Sequence, residues 1–563
     1  MKKISLFFVL FISGHLLFAQ NEVEKGLEAI TMESIKGQLE FLASDWTEGR
    51  AVGTKGAYLA ADYIASMFQT YGVQPFGDVA YTQPSRSERM AGARPELYHT
   101  YFQNFGLIEY EPGDEQLFSV VTSKPGSESS MDFGFKTDFY VQTGTVGQKV
   151  QAPLVFAGYG YSDEDKTYDD LKKIDVEGKI AVILQGYPGH KDTTSTAYKK
   201  YKPEGRYAEY YLERDKMKDL QDAGALAVIY ISPDANPMMG WAENNVYRDN
   251  GGFNESDKRP NPYYGNRMSL PGKEIGGNLS TFTVSSRVVN EILSGSGIDI
   301  EKFEEQAATD FEPASKVLSG KSVAFKTTVN SKVVNARNVV GYIEGENKDE
   351  FIVVGGHYDH LGKVDGIIYN GADDNASGTV GVMEIAKAFM ATGKKPEKSI
   401  VFAAWTGEEK GLFGSNYFVR DAKEKDMNVV LNLNYDMIAR NPEGDTLGNQ
   451  AHMVYTEANT VIGEITKKNI EDFDINLNLE LRPSERPGGG SDHAPFAEED
   501  IPIFYFMAAM HPDYHQPSDE LNKINWEKMQ NIIKVGFLNT WKFANSDDWK
   551  KTTVKPEAEV ETE

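Results

Sequence analysis
The apolar run Phe351-Ile352-Val353-Val354, followed at once by Gly355–Asp374 (GGHYDHLGKVDGIIYNGADD), is the stretch that decides the fold of this chain. Four consecutive apolar residues ending in glycines predict a strand buried on both faces. Asn375-Ala376-Ser377-Gly378 then leads into a segment, Ser377–Thr392, with Val382, Ile385, Ala386 and Phe389 at helical spacing. The linking residues hold two histidines, His357 and His360, and four aspartates, Asp359, Asp365, Asp373 and Asp374. Imidazoles and carboxylates gathered at the end of a buried strand suit a borderline metal such as zinc. We read His357 and Asp374 as the start of a two-metal hydrolytic site.

Working outward, the strand–helix alternation begins at Asn338–Ile343 and continues after the helix. Ser399–Trp405 (SIVFAAW) reads as a buried strand, Leu412–Val419 opens a helix, and Val429–Leu433 and Ile501–Phe506 are further strands. The expected fold class is therefore α/β, a mixed, mostly parallel sheet with helices on both faces. Ligands in such sheets bind beyond the carboxyl ends of the strands. His357 and Asp359 follow one predicted strand, Glu408 and Glu409 the next, and Asp436 the third. Asp374 precedes a helix, and His515 lies beyond the last strand in His511-Pro-Asp-Tyr-His515. Taken singly, each has a plainer reading: Asp373-Asp374-Asn375 as helix capping, Glu408-Glu409 as an exposed turn. Their joint placement at one rim favours the metal. Ser491-Asp492-His493 is not a serine-hydrolase triad, because triad members meet in space rather than along one strand.

On the N-terminal side, Ile35, Leu39 and Leu42 predict a helix capped by Thr31. Tyr58, Ala61, Ile64, Ala65 and Phe68 predict a second, stopped by Gly72. Residues 76–105 read as an irregular surface segment. From about 140 to 325 the texture is strand-rich, with Leu154–Phe156, Lys179–Leu184 and Ala225–Ile231 as strands and Asp234–Gly277 as a long loop. No metal-ligand cluster occurs there, so this segment reads as a non-catalytic insert. The expected organisation is a signal peptide at 1–20, the N-terminal part of the catalytic domain at 21–140, an insert at 141–325, the catalytic core at 326–546 and a disordered tail at 547–563.

Composition bounds the partners. The 563 residues carry 84 acidic against 58 basic side chains, a formal charge of -26, which disfavours nucleic acid and anionic membranes. Lys2 and Lys3 followed by apolar Ile4–Phe18 and Ala19-Gln20 predict export, to the periplasm or the medium. No later stretch is apolar enough for stable membrane insertion, and nothing in the sequence sets an oligomeric state. Cysteine is absent, which excludes disulfides, a thiol nucleophile and thiolate metal ligands.

HYDH (357–360), GADDNASG (371–378), TGEEKGLFGS (406–415), NYDMIAR (434–440), SDHAPF (491–496) and DYHQPSDE (513–520) together resemble the co-catalytic di-zinc aminopeptidase family, whose relatives include aminopeptidase Y and glutamate carboxypeptidase. LASDWTEGRAVGTKGAYLAADYIASMF (42–68) is similar to the family's lead-in, and residues 140–325 resemble its inserted, β-rich protease-associated domain. The resemblance implies two Zn2+ per chain: one held by His357, Asp374 and Asp436, the other by Asp374, Glu409 and His515, with Asp374 bridging. It implies Glu408 as general base, Tyr514 as a hydrogen-bond donor to the tetrahedral intermediate, and Asp359 as the acid that orients the His357 imidazole. His493 shapes the site, while His360 and His511 have no implied role and read as structural or rim residues. The activity implied is an exopeptidase removing N-terminal residues from peptides through a water that bridges the metals. A carboxypeptidase on the same metals is the alternative, with Arg440, Arg482 or Arg486 reading the substrate carboxylate. A glutaminyl-cyclase-like transferase is a third, but it uses one zinc and the full ligand set argues against it.

Overall fold
The computed structural model describes residues 22–163, 167–203, 208–231, 267–272, 279–364 and 366–550. The predicted signal peptide, Asp365, nearly all of the predicted 234–277 loop and residues 551–563 of the predicted tail lie outside the described residues. The chain divides into two compact units, one of residues 1–106 and 335–563, the other of residues 107–334.

The first unit is built on strands β1 (Val329–Ile343, from residue 335 onward), β2 (Asn347–His357), β3 (Lys398–Trp405), β4 (Val429–Tyr435), β5 (Gln450–Thr456), β6 (Asn478–Ser484) and β7 (Ile503–Met507). Their spatial order is β1-β3-β2-β4-β7-β5-β6. The four central strands β3, β2, β4 and β7 are parallel, with β1 and β5 antiparallel to their neighbours β3 and β7. This is the mixed, mostly parallel sheet expected. β5 and β6, which pair in parallel at the far edge, are additional strands that the apolar-run criterion passes over. β6 alternates exposed and half-buried positions and so lacks a continuous apolar run.

Alternation along the central strands sends side chains into two cores. Ile352, Val354, Ile400 and Phe402 pack with helices α1 (Met32–Leu42), α2 (Lys55–Tyr71), α3 (Gly378–Thr392) and the C-terminal α6 (Trp526–Ala544). Val353, Val401, Ala403 and Trp405 face the other way, onto Phe418, Val419 and Ala422 of α4 (Phe413–Glu424) and onto Phe496. α5 (Val461–Asp472) contributes Ile462 to the first core. Each fully buried Val, Ile or Phe is worth about 1.5–3 kcal/mol, so both faces are fastened along the strands that carry the site.

The capping expectations are met in detail. The Thr31 hydroxyl accepts from Ser34 N at 3.3 Å, and Gly72 ends α2 at φ 86°. The 76–105 segment is more ordered than its scattered composition suggests. Val79–Tyr81 pairs antiparallel with Leu97–His99, and a short helix, Arg86–Met90, starts on a Ser85/Glu88 capping box. The tail also differs: Trp549 is buried and its indole donates to Phe543 O and Ser546 O, so residues 547–550 are packed against the unit.

The second unit holds an eight-stranded sheet of its own. Lys149–Phe156, Ile180–Leu184, Ala227–Ile231 and Ser280–Val284 run parallel at its centre. It begins well before residue 141. Leu117–Lys124 pairs with Lys316–Lys326, and Ser127–Phe133 adds the edge. That edge strand reads SESSMDF and exposes all but its last residue, so nothing in its composition announces a strand. Arg267–Ser269, inside the predicted loop, forms a short strand against Ile108–Tyr110.

Candidate metal centre
The carboxyl ends of β2, β3 and β4 and the entry to α3 converge. His357 is the last residue of β2 and is buried. Its Nε2 lies 3.5 Å from Asp374 Oδ1 and 3.5 Å from Asp436 Oδ1. On the other side of Asp374, Oδ2 lies 3.0 Å from His515 Nε2, which is 3.1 Å from Glu409 Oε2. The structure thus brings all five predicted donors together, and the two oxygens of Asp374 face different donor pairs.

These separations test whether a metal fits. Zinc–ligand bonds of ~2.0–2.1 Å in a tetrahedron put neighbouring donors ~3.3 Å apart. The spacings around His357 and around His515 bracket that value. His357 Nε2, Asp436 Oδ1 and Asp374 Oδ2 are buried and have no hydrogen-bond partner in the protein, which is costly for atoms that make no other bond. An all nitrogen-and-oxygen donor set with such orphaned atoms fits a divalent cation.

The backbone is arranged to hold these atoms. Ala372–Ser377 is an irregular turn before α3 in which the Asp374–Asn375 peptide is cis. Asp519 accepts from the main-chain N–H of Asp373 and of Asp374, both at 3.0 Å. Asn375 Oδ1 accepts from Met437 N, Ser377 Oγ from Ile438 N, and Asp373 Oδ1 from Ala439 N at 2.7 Å. The turn carrying Asp374 is thereby stitched to the loop carrying Asp436. Asp373, which reads in sequence as a capping residue, performs this stitching.

Glu408 and Glu409 point differently because the chain bends at Gly407, whose φ of 76° a side chain rarely adopts. Glu408 Oε2 is 3.9 Å from His357 Nε2 and belongs to neither group of atoms close enough to hold a metal, which are His357, Asp374 and Asp436, and His360, Asp374 and Glu409. Burial, reinforced by Glu409, Asp492 and Asp436, pushes its carboxyl well above the usual range against the pull of His357. Burial and the same crowding of acids raise Asp374 well above its ordinary value too. Asp359 differs from the expectation. The main-chain carbonyl of Asp359, not its carboxylate, meets His357 Nδ1 at 3.1 Å; the carboxylate is 3.9 Å away and accepts from Glu408 N at 3.2 Å. It holds the Glu408 turn. Tyr514 stacks on His515 with ring centroids 3.6 Å apart, and His493 stacks on Tyr505 at 4.5 Å.

Several residues at this centre escape sequence reasoning. Arg50 is wholly buried and donates to the carbonyls of Leu42, Tyr358, Asn370 and Gly371, tying the β2 exit to the Asp374 turn. Desolvation lowers its pKa to about 10, with Asp359 and Asp374 opposing. Asp492 accepts from Ser415 Oγ at 2.5 Å. His360 and His511 are not rim residues: both are buried, with His360 Nδ1 2.6 Å from Glu409 Oε1 and His511 Nε2 3.2 Å from Asp373 Oδ2. For Asp519, the only signal is its place in DYHQPSDE, four residues past His515.

Residues 338–538, which contain every one of these donors, match the model of Peptidase family M28, and residues 150–264 match that of the PA domain. The 338–538 segment is thus a peptidase family M28 domain, and a PA domain precedes it in the chain. It is 26% identical over 429 residues to a glutamate carboxypeptidase 2 homolog of Caenorhabditis briggsae, covering 68% of this chain and 51% of that one. With aminopeptidase YwaD of Bacillus subtilis it shares 27% identity over 401 residues, 69% of this chain and 65% of the relative. The chain thus spans between half and two thirds of the length of these relatives. A solved aminopeptidase from Aneurinibacillus sp. strain AM-1 has the same fold, with a TM-score of 0.55 at 18% identity over 95% of this chain and 98% of the other.

Proposed function
We propose that this protein is an exported di-zinc aminopeptidase. One observation carries the reading: Asp374 presents Oδ1 to His357 and Oδ2 to His515, so two donor sets share one carboxylate, with Glu408 beside them. His357, Asp374 and Asp436 would hold one zinc, and Asp374, Glu409 and His515 the other. Zinc in these sets would supply Lewis-acid polarisation of the scissile carbonyl and acidify the attacking water.

The chain's own residues do the rest. Glu408, a carboxylate with a raised pKa, takes the proton from the attacking water and delivers it to the amine that leaves as the C–N bond breaks. Asp359 keeps the Glu408 turn in place, and its carbonyl fixes which His357 nitrogen faces Asp374 and Asp436. The Tyr514 hydroxyl donates to the oxyanion of the tetrahedral intermediate.

An N-terminal ammonium suits a site with this density of carboxylates. Recognition of a C-terminal carboxylate needs an uncommitted arginine. Arg440 is paired with Asp513 at 2.6 Å and Arg482 with Glu480 at 2.5 Å, whereas Arg486 is exposed and keeps the carboxypeptidase as the second reading. Comparing a peptide with its N-acetylated form decides this. Release of the first residue from the free peptide alone is expected; release of C-terminal residues from both would overturn it. Export rests on residues 1–20, and the N-terminal sequence of protein recovered outside the cytoplasm checks it: cleavage after Ala19 or Gln20 is expected, an intact Met1 would refute it. Among the described residues no helix is long and apolar enough to cross a membrane.

A further inference from the structure
His360 stands three residues beyond His357 and is buried, and its ring nitrogen lies close enough to Asp374 and Glu409 for the three to hold a metal, yet neither donor set proposed above uses it. Its Nδ1 is 2.6 Å from Glu409 Oε1. Two ligands of one tetrahedral zinc sit ~3.3 Å apart, as His515 and Glu409 Oε2 nearly do, whereas 2.6 Å is the length of a charge-assisted hydrogen bond. His360 Nδ1 is also 3.8 Å from Asp374 Oδ2, well past His515's 3.0 Å. The two oxygens of Glu409 therefore face different imidazoles at different kinds of distance.

The His360 ring has little freedom to change this. It lies against Gly371, where an added Cβ would stand 2.5 Å from the ring's Cδ2, and Gly371 itself adopts φ 54°. The Gly371 carbonyl is held by Arg50, whose own carbonyl accepts from His360 N at 3.4 Å. Ring, glycine and arginine form one packed unit behind Glu409.

We propose that His360 is a positioning residue: its Nδ1–H engages Glu409 Oε1 so that only Oε2 is left to bind the second metal. The inference rests on the two-metal reading. Without His360, Glu409 can rotate or engage the cation with both oxygens, which disturbs the second site and leaves the first, built from His357 and Asp436, alone. Losing such an outer partner typically weakens metal affinity by ~10–100-fold.

The test is zinc affinity at each site, measured by chelator competition on metal-stripped full-length protein for wild type, His360→Ala and His360→Asn. The Asn amide nitrogen occupies the position of Nδ1 and retains the donor. Two sites are expected in wild type, with the second weakened by ~10–100-fold in His360→Ala and largely restored in His360→Asn. Equal melting temperatures of the stripped proteins show that the fold is intact; if His360→Ala fails to fold, His360→Asn is set against His360→Gln, whose longer arm misplaces the donor, and equal second-site affinities in that pair overturn the proposal. Two unaltered sites in His360→Ala overturn this inference alone, while fewer than two in wild type overturn the two-metal reading with it. A cobalt-loaded His360→Asn protein whose visible spectrum departs from wild type shows His360 to be a direct ligand, which also overturns it.

Discussion
Both units of this chain have four parallel strands at the centre of a mixed sheet, yet among the described residues only one of them gathers groups of metal-ligand donors. In the peptidase unit the strands Asn347–His357, Lys398–Trp405 and Val429–Tyr435 run directly into His357, Glu408-Glu409 and Asp436. In the insert, Phe156 and Leu184 close two strands and are followed by Ala157-Gly158-Tyr159-Gly160 and Gln185-Gly186-Tyr187. Among the described residues, both groups of donors able to hold a metal lie in the peptidase unit. The shared strand arrangement provides a place for chemistry, and the residues at the strand ends decide whether chemistry occurs there.

The units also use buried charge differently. Arg50 spreads one guanidinium over four carbonyls around the candidate metal centre. Asp170 in the insert gathers the N–H groups of Tyr159 and Tyr161 and the hydroxyl of Tyr168 around one carboxyl, and closes a glycine-rich turn. Both are structural groups, but only the first touches the segments that carry ligands.

The sharpest contrast is expected from Glu408→Gln. It removes the proton carrier and nothing else, so zinc content stays at the wild-type level while kcat falls by ~10²–10⁴-fold. Metal analysis beside steady-state kinetics reads both, and an active variant would remove Glu408 from the base role. Next in size is Arg50→Met, which takes this donor from the Tyr358 and Asn370 carbonyls and leaves those of Leu42 and Gly371 to Thr47 and Ala376, and should cost about 1–3 kcal/mol for each stranded carbonyl. Denaturant unfolding measures the loss, and zinc affinity should fall with it. Asp170→Ala should cost less, about 1–3 kcal/mol for its stranded donors, with zinc affinity unchanged. If Asp170→Ala weakened zinc as Arg50→Met does, the separation of roles between the two units would fail.

The smallest effect concerns pH. Burial pushes Asp170 from the ordinary 3.8 up to about 7, although Tyr161, Tyr168 and Tyr159 donate to it. A folded-state pKa above the unfolded value means the fold prefers the protonated carboxyl. Its contribution is full below about pH 4 and is lost as pH rises through 7. Asp170→Asn mimics the protonated form, with its carbonyl on the two N–H groups and its amide toward Tyr168. The melting temperature of the variant should therefore fall less between pH 5 and 8 than that of wild type. Parallel pH profiles would contradict the assignment.

Much of this was legible because ligand residues sit next to strands that announce themselves. FIVV and SIVFAAW are unmistakable runs, and His357 and Glu408 follow each within a few positions. The supporting residues were not legible in the same way. Arg50 meets Tyr358 and Gly371 across more than 300 residues, so its place in the turn DWTEGR (45–50) carries no trace of those partners. His360 could not be separated from a rim histidine until the Glu409 turn was placed against it. The insert's early boundary was hidden by SESSMDF, an edge strand with almost nothing to bury.

The central claim is that Asp374 bridges two metal sites, and zinc content tests it most directly. Purified wild-type protein should hold close to two zinc ions per chain, and Asp374→Asn should lose both while the stripped proteins melt alike. One zinc in the wild-type protein, or two retained by Asp374→Asn, would contradict the account.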